Sequence, residues 1–199
     1  MFIVFEGLDG SGKSCQVKRL VDYLSKRNIK TWVTTEPTDS EIGKLIRHIQ
    51  KGECIPHPDR TTMMCLYAAD RSVHIKEIQE HINNGDWVIC DRYMYSSIAY
   101  QDQDLTKGDI SAVKLNKNFL KPDITFILDV DENTSLERIK ARGNSQELFE
   151  KAYILKKARR KYLRLSQENP KNTFVIDGTL SEKEVFDNVL KIIEVKGDL

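Results

Sequence analysis

The sequence has no excess of either charge: 31 Lys and Arg stand against 30 Asp and Glu, a formal net charge of +1. A chain so balanced offers no general attraction to nucleic acid or to a membrane surface, so any basic site must be local. Cysteine is scarce and scattered. Cys15, Cys54, Cys65 and Cys90 include no close pair of the kind that a zinc site or a C-x-x-C redox centre requires. They read as the reduced thiols of a cytoplasmic protein. No apolar run approaches the roughly 20 residues of a transmembrane helix. The apolar opening Met1-Phe2-Ile3-Val4-Phe5 is short, carries no basic leader and runs directly into a glycine loop, so it reads as a strand rather than a signal peptide. There is no internal repeat, low-complexity tract or Pro/Ser-rich linker. Residues 1–199 therefore read as a single domain, long enough to bury a sizeable core.

What the chain does contain is alternation. Short apolar runs at Phe2 to Phe5, Thr31 to Thr34, Trp87 to Cys90, Ile124 to Leu128 and Thr173 to Ile176 have the character of buried strands. Between them lie segments of helical spacing: Val17, Leu20, Val21 and Leu24; then Ile110, Val113 and Leu115 ahead of Pro122; then Val185, Val189, Ile192 and Ile193. Parallel neighbours need a crossover connection, so strands alternating with helices predict an α/β fold, a parallel sheet with helices on both faces.

The segment Gly7-Leu8-Asp9-Gly10-Ser11-Gly12-Lys13-Ser14 satisfies G-x-x-x-x-G-K-[ST] at every fixed position, and it lies between the first strand and the first helix. The glycines let the backbone curl so that successive N–H groups point inward, and the helix that follows adds its positive dipole end. Lys13 is placed to reach β- and γ-phosphate oxygens, and the Ser14 hydroxyl to ligate Mg²⁺. The bland alternative is an ordinary glycine-rich turn with a solvent-facing lysine, which the flanking strand and helix argue against. This sets the expected architecture as a three-layer P-loop fold with a five-stranded parallel sheet.

Three further constellations admit two readings each. The third strand delivers Asp91-Arg92 at its carboxyl edge, where open parallel sheets bind ligands. Asp91 there can hold Mg²⁺ or its waters and Arg92 a phosphorylated acceptor, or the two form a structural pair at the next helix. Tyr67 and Arg71, four apart on one helix, bracket a nucleobase or are packing plus a surface charge. The basic stretch from Arg138 to Lys161, interrupted at Gly143-Asn144-Ser145, is a lid over phosphates or a solvated helix face.

Several blocks taken in order resemble the thymidylate kinase family, within the nucleoside-monophosphate kinase group, over nearly the whole chain. They are Phe5 to Ser14, Glu36-Pro37, Ile42-Gly43 with Arg47, Tyr67 to Arg71, and the most specific, Asp91-Arg92-Tyr93-Met94-Tyr95-Ser96-Ser97-Ile98-Ala99-Tyr100-Gln101. The resemblance implies transfer of the γ-phosphoryl of Mg-ATP to dTMP, and commonly a homodimer. It implies that Asp9 contacts the sugar 3′-hydroxyl, that Arg47 and Arg92 hold the acceptor phosphate, and that Tyr67 stacks on thymine. Arg71, Ser97, Tyr100 and Gln101 would line the base and sugar, with Glu36 and Pro37 at the same dTMP site. Leu128-Asp129-Val130 leading to Arg138 and Arg142 is similar to the entry into the family's short mobile lid, about 141–152, whose arginines would neutralise the transferring group.

Two departures from the family pattern stand out. A catalytic arginine usual in the phosphate loop or in the lid is replaced by Gly10 and by Leu148, leaving Arg142 and Arg159 as candidates. After Glu36-Pro37 a common glycine pair is replaced by Thr38-Asp39, and Thr35 stands where arginine is frequent. Three alternatives to dTMP kinase stay open at this level. They are a kinase of another pyrimidine monophosphate or a deoxynucleoside, a nucleotide-hydrolysing conformational switch, and a pure binding protein.

Overall fold

The computed structural model of the chain describes residues 1–53, 58–101, 111–141 and 148–197, with the backbone alone for 148–151. Its elements run β1 (Phe2–Gly7), α1 (Lys13–Ser25), β2 (Thr31–Thr35), α2 (Glu41–Gln50), α3 (Arg60–Asn83) and β3 (Trp87–Asp91). There follow α4 (Met94–Gln101), α5 (Ala112–Leu115), β4 (Ile124–Asp129), α6 (Glu132–Ala141), α7 (Leu148–Glu168), β5 (Thr173–Asp177) and α8 (Glu182–Lys196). The five strands form one all-parallel sheet in the order β2-β3-β1-β4-β5, in a three-layer α/β arrangement.

The central strand β1 is buried at all six positions because helices cover both of its faces. Ile3 and Phe5 pack with Val17, Leu20 and Leu24 of α1 and with Val185, Val189 and Ile193 of α8. Phe2 and Val4, pointing the other way, meet Ile78 of α3 together with Tyr93 and Met94. A second cluster on that side joins Leu8 and Ile127 to Ala99 of α4 and to Leu155, Ala158 and Tyr162 of α7. Alternation of side chains along a strand thus supplies two cores from one apolar run.

Each predicted strand is present, and each continues past its last apolar residue: to Gly7, Thr35, Asp91, Asp129 and Asp177. Those polar ends are where the sheet meets the ligand edge, so hydrophobicity alone stops short of them. Of the helix expected around Ile110, Val113 and Leu115, the described residues hold the turn Ala112–Leu115, with Ala112 buried and Val113 49% exposed; Ile110 lies outside the described residues. Helix α3 carries a mixed buried face, Met64, Asp70, Arg71, His74 and Ile78, which blurs its apolar periodicity. Among the described residues, no helix is long and apolar enough to cross a membrane, and Cys15, Cys65 and Cys90 are free thiols.

Helix starts follow local chemistry. The Ser181 hydroxyl and Glu184 form a reciprocal capping box at α8, and Ser40 caps α2 through the Gly43 amide. A Cβ on Gly43 would stand 2.0 Å from the Thr38 carbonyl oxygen, so only glycine lets α2 seat against the 38–40 turn. The same turn is held by Asp70, which accepts from the Thr38 amide at 2.8 Å and from the hydroxyls of Thr38 at 2.6 Å and Ser40 at 2.7 Å.

Candidate active site

Strand order places the carboxyl end of β1 between those of β3 and β4, with Phe5 beside Asp91 and Gly7 beside Leu128. The loop from Gly7 to Gly12 therefore opens over the middle of the sheet edge, as expected for a ligand site in a parallel sheet. Gly7, Gly10 and Gly12 take φ of 136°, 78° and 98°, values that favour glycine. At Gly7 space forbids a side chain as well: a Cβ would lie 2.5 Å from the Leu128 carbonyl oxygen. Gly12 is the N-cap of α1 and provides no side-chain acceptor, so the first amides of that helix are presented to a ligand.

The Lys13 ammonium folds back over this loop, donating to the carbonyls of Gly7 at 3.1 Å and Leu8 at 2.9 Å. Its side chain is buried, and desolvation, reinforced by the nearby Arg92 cation, lowers its pKa to about 8. The Ser14 hydroxyl donates to Asp91 Oδ2 at 2.9 Å, whereas Asp91 Oδ1 is buried with no hydrogen-bond partner among the described residues. A hydroxyl and a carboxylate with a spare oxygen are the hard donors that Mg²⁺ selects. Among the described residues no cluster of three or more His, Cys, Asp or Glu stands ready for a metal. A cation at Ser14 and Asp91 would thus draw its other ligands from phosphate and water.

Across the cavity stands Arg92, whose backbone takes φ of 71° and whose amide donates to Phe5 O at 2.9 Å. Its Nη2 donates to Asp9 Oδ1 at 2.7 Å and its Nη1 to Ser96 Oγ at 2.9 Å. Arg47 on α2 reaches the same cavity while donating to Pro37 O at 2.8 Å and Asp39 Oδ1 at 2.7 Å.

The far end is built by α3 and α4. The Tyr67 hydroxyl accepts from Gln50 Nε2 at 2.7 Å. Arg71 is fully buried and pairs with the Glu36 carboxylate and the Asn116 side-chain oxygen, with Ser97 Oγ at 3.1 Å. The other Glu36 oxygen lies 3.0 Å from His74 Nδ1, so Glu36 anchors two α3 side chains at once. Among the described residues, Gln101 Oε1 is buried without a hydrogen-bond partner, and the Tyr100 ring lies beneath the Arg92 guanidinium. Burial pushes the Tyr100 phenol up to about 12.

One continuous cavity of about 620 Å³ joins these parts. Of the residues singled out from the sequence it is lined by Asp9, Gly10, Gly12, Lys13 and Ser14 of the loop and by Asp91 and Arg92 of the third strand end. Its far wall holds Glu36, Pro37, Arg47, Tyr67, Arg71, Ser97, Tyr100 and Gln101. Gly7 and Ser11 shape the loop behind that lining. Arg138 sits at the rear of the loop, donating to Gly178 O at 2.9 Å and Gly10 O at 3.3 Å. Arg159 is held in a bidentate pair with Asp129, at 2.7 and 2.8 Å. Arg142, with the rest of 142–147 in the 141–152 segment, lies outside the described residues, and residues 148–152 begin α7.

Sequence reasoning gave no role to Glu6, Ser96, Asn116, His74 or Tyr162, all of which contact residues of this site. One signal was present for Glu6, a carboxylate inside an otherwise apolar strand. Nothing in the spacing of the other four marks them.

With this geometry in place, the comparisons with known proteins are specific. Residues 5–189 match the family described as Thymidylate kinase. A probable thymidylate kinase of Methanocaldococcus jannaschii is 45% identical over 94% of this chain and 92% of its own. The thymidylate kinase of Leptospira borgpetersenii is 38% identical over 96% of this chain and 92% of its own. A probable thymidylate kinase of Pyrococcus horikoshii is 35% identical, with coverage of 97% and 95%.

Proposed function

The chain belongs to the thymidylate kinase family, and from that premise we propose that it transfers the γ-phosphoryl group of Mg-ATP to thymidine monophosphate, giving ADP and the diphosphate. It is a nucleoside-monophosphate phosphotransferase. The observation that carries the assignment of roles is the single cavity in which the phosphate loop faces Arg92, Arg47, Tyr67 and Arg71. A hydrolytic switch has no use for a second, guanidinium-lined compartment of that kind.

The acceptor oxygen belongs to a phosphate that is already anionic at neutral pH, so the protein needs no base. Its work is to bring two mutually repelling anions into line. The loop amides and Lys13 hold the donor phosphates, Arg92 and Arg47 hold the acceptor phosphate, and Asp9, bound to Arg92, sits where the sugar hydroxyl of the acceptor would lie. Tyr67 supplies a face for the base, with Arg71, Ser97, Tyr100 and Gln101 around its edge and Glu36-Pro37 shaping the floor. Mg²⁺ at Ser14 and Asp91 would neutralise charge on the phosphates. Arg142 is the proposed source of the additional positive charge on the transferring group, within a lid at 141–152. A homodimer of single-domain chains, in the cytoplasm, completes the proposal.

The deciding assay incubates purified protein with Mg-ATP and, separately, each common nucleoside and nucleoside monophosphate, and measures ADP. Release is expected with dTMP and not with bare nucleosides; release indifferent to the acceptor would reject the reading. A second expectation follows from Lys13, whose pKa of about 8 is lowered by burial and by Arg92. Phosphate oxygens favour the ammonium form, so above pH 8 ATP binding must take up a proton, and ATP affinity must fall as pH rises. Calorimetry in buffers of differing ionisation enthalpy measures that uptake. An ATP affinity flat from pH 7 to 10 would remove Lys13 from the donor site.

A further inference from the structure

Glu6 ends the apolar run of β1 and is 0% exposed. A carboxylate in such a place is tolerated only if its oxygens are fully satisfied. Four donors converge on it. The amides of Tyr93 and Ser96 reach Oε1 at 3.0 and 3.1 Å, and the hydroxyls of Ser96 and Tyr162 reach Oε2 at 2.6 and 3.2 Å. Every partner donates, which matches an ionised, acceptor-only carboxylate. Burial pushes the Glu6 carboxyl up, but Ser96, Arg92 and the two amides all pull the other way.

The two hydroxyls do more than satisfy Glu6. Ser96 Oγ also accepts from Arg92 Nη1 at 2.9 Å, and the Tyr162 hydroxyl lies 3.4 Å from that same nitrogen and 2.9 Å from Ser96 Oγ. One edge of the Arg92 guanidinium is therefore fixed by a buried frame, while Nη2 lies at the cavity on Asp9, a half-exposed side chain. Tyr162 comes from α7, where its ring is packed against Leu8, Ala99 and Leu155. One helical turn earlier on that helix, Arg159 grips Asp129 at the end of β4. Helix α7 is thus pinned both to the sheet and to the frame around Arg92.

We infer that Tyr162 and Glu6 are positioning residues for the acceptor site, fixing the Arg92 guanidinium through Ser96 so that the seating of α7 sets the affinity for the acceptor phosphate. This rests on Arg92 binding the acceptor, as proposed above. Neither side chain lines the cavity, and both are buried. A guanidinium held in place before the phosphate arrives loses little freedom on binding, and that saving is what the frame supplies. A tyrosine kept only for packing would be replaceable by phenylalanine without consequence, because the ring fills the same volume.

The test compares wild type with Tyr162→Phe and Glu6→Gln by steady-state kinetics in both substrates, calorimetric dTMP binding and thermal midpoint. Tyr162→Phe is expected to raise KM and Kd for dTMP about fivefold, the effect of losing one hydrogen bond in a charged network. KM for ATP should stay within about twofold of wild type, with a nearly unchanged thermal midpoint. Glu6→Gln should raise the dTMP constants further, since it removes the negative charge opposite Arg92; if that variant fails to fold, Tyr162→Phe alone decides. Unchanged dTMP constants in Tyr162→Phe, or an equal rise for both substrates, would overturn the inference. Failure of wild type itself to bind dTMP would instead sink the assigned function, so the two failures are told apart in one experiment.

Discussion

Lys13→Met is expected to lower kcat by a factor on the order of 10³, the usual effect of deleting a preorganised charge from a site of phosphoryl transfer. The ammonium sits over the Gly7 and Leu8 carbonyls, buried and beside the mouth of the loop, where the charge on a transferring group develops. Binding of dTMP should change little, because the acceptor is proposed to lie among the guanidinium groups on the other side of the cavity. The same substitution is expected to stabilise the ligand-free protein. Lys13 is displaced from 10.5 to about 8, so its ammonium is disfavoured in the folded state, and removing it should add about 1–2 kcal/mol at pH 7 after allowing for the two carbonyls left behind. The sign follows from proton counting. Between pH 8 and 10.5 the unfolded chain binds more protons at this lysine than the folded chain, so stability from this group rises with pH through that window. Urea titrations at pH 7 and 10 should show that rise in wild type and lose it in Lys13→Met. A variant that is inactive and also less stable at pH 7 would contradict this account of the loop.

Arg92→Ala is expected to have the largest effect on the acceptor: a rise of about 100-fold or more in the dTMP Kd, as for loss of a charge-assisted guanidinium–phosphate contact, with ATP affinity within about threefold of wild type. Its Nη2 is available to the cavity through a partly exposed contact with Asp9, whereas Lys13 is assigned to the donor phosphates in the proposed reaction. Stability should fall as well. Arg92 is one of the groups holding the Glu6 carboxyl down against burial, and without it that interior carboxylate loses a cation that offsets its desolvation. Lysine at this position is not expected to restore dTMP binding, because an ammonium cannot span Ser96, Asp9 and a phosphate at once. Equilibrium binding of each nucleotide measures the contrast. If Arg92→Ala weakens ATP and spares dTMP, the two compartments have been assigned the wrong way round.

Much of this was legible before any coordinates. The glycine loop is contiguous, so the conformations at Gly7, Gly10 and Gly12 and the placement of Lys13 follow from local spacing between a strand and a helix. The pair Asp91-Arg92 was equally visible, because a strand that turns polar at its carboxyl end in a parallel sheet delivers those residues to the ligand edge. Spacing could place Tyr67 and Arg71 on one helix face, but only the family resemblance put them in the nucleotide site. Their place there depends on α3 crossing beside β3 and on Glu36, 35 residues earlier in the chain, receiving the guanidinium.

The amino-acid sequence by itself determined the kind of sheet, the phosphate loop and the stock of arginines, because each is written in residues that are neighbours or in periodicities set by the backbone. Only the tertiary structure decided which arginines are paired inside the protein and which face the cavity. Arg159 is occupied by Asp129 and Arg138 by the carbonyls behind the loop, while Arg92 faces the cavity from a buried frame that joins Glu6 to Tyr162, 156 residues away. A guanidinium or a carboxylate looks the same in a sequence whether helices cover it or water does. Its partners and its charge follow from burial, and burial is a property of the folded assembly of helices on the sheet.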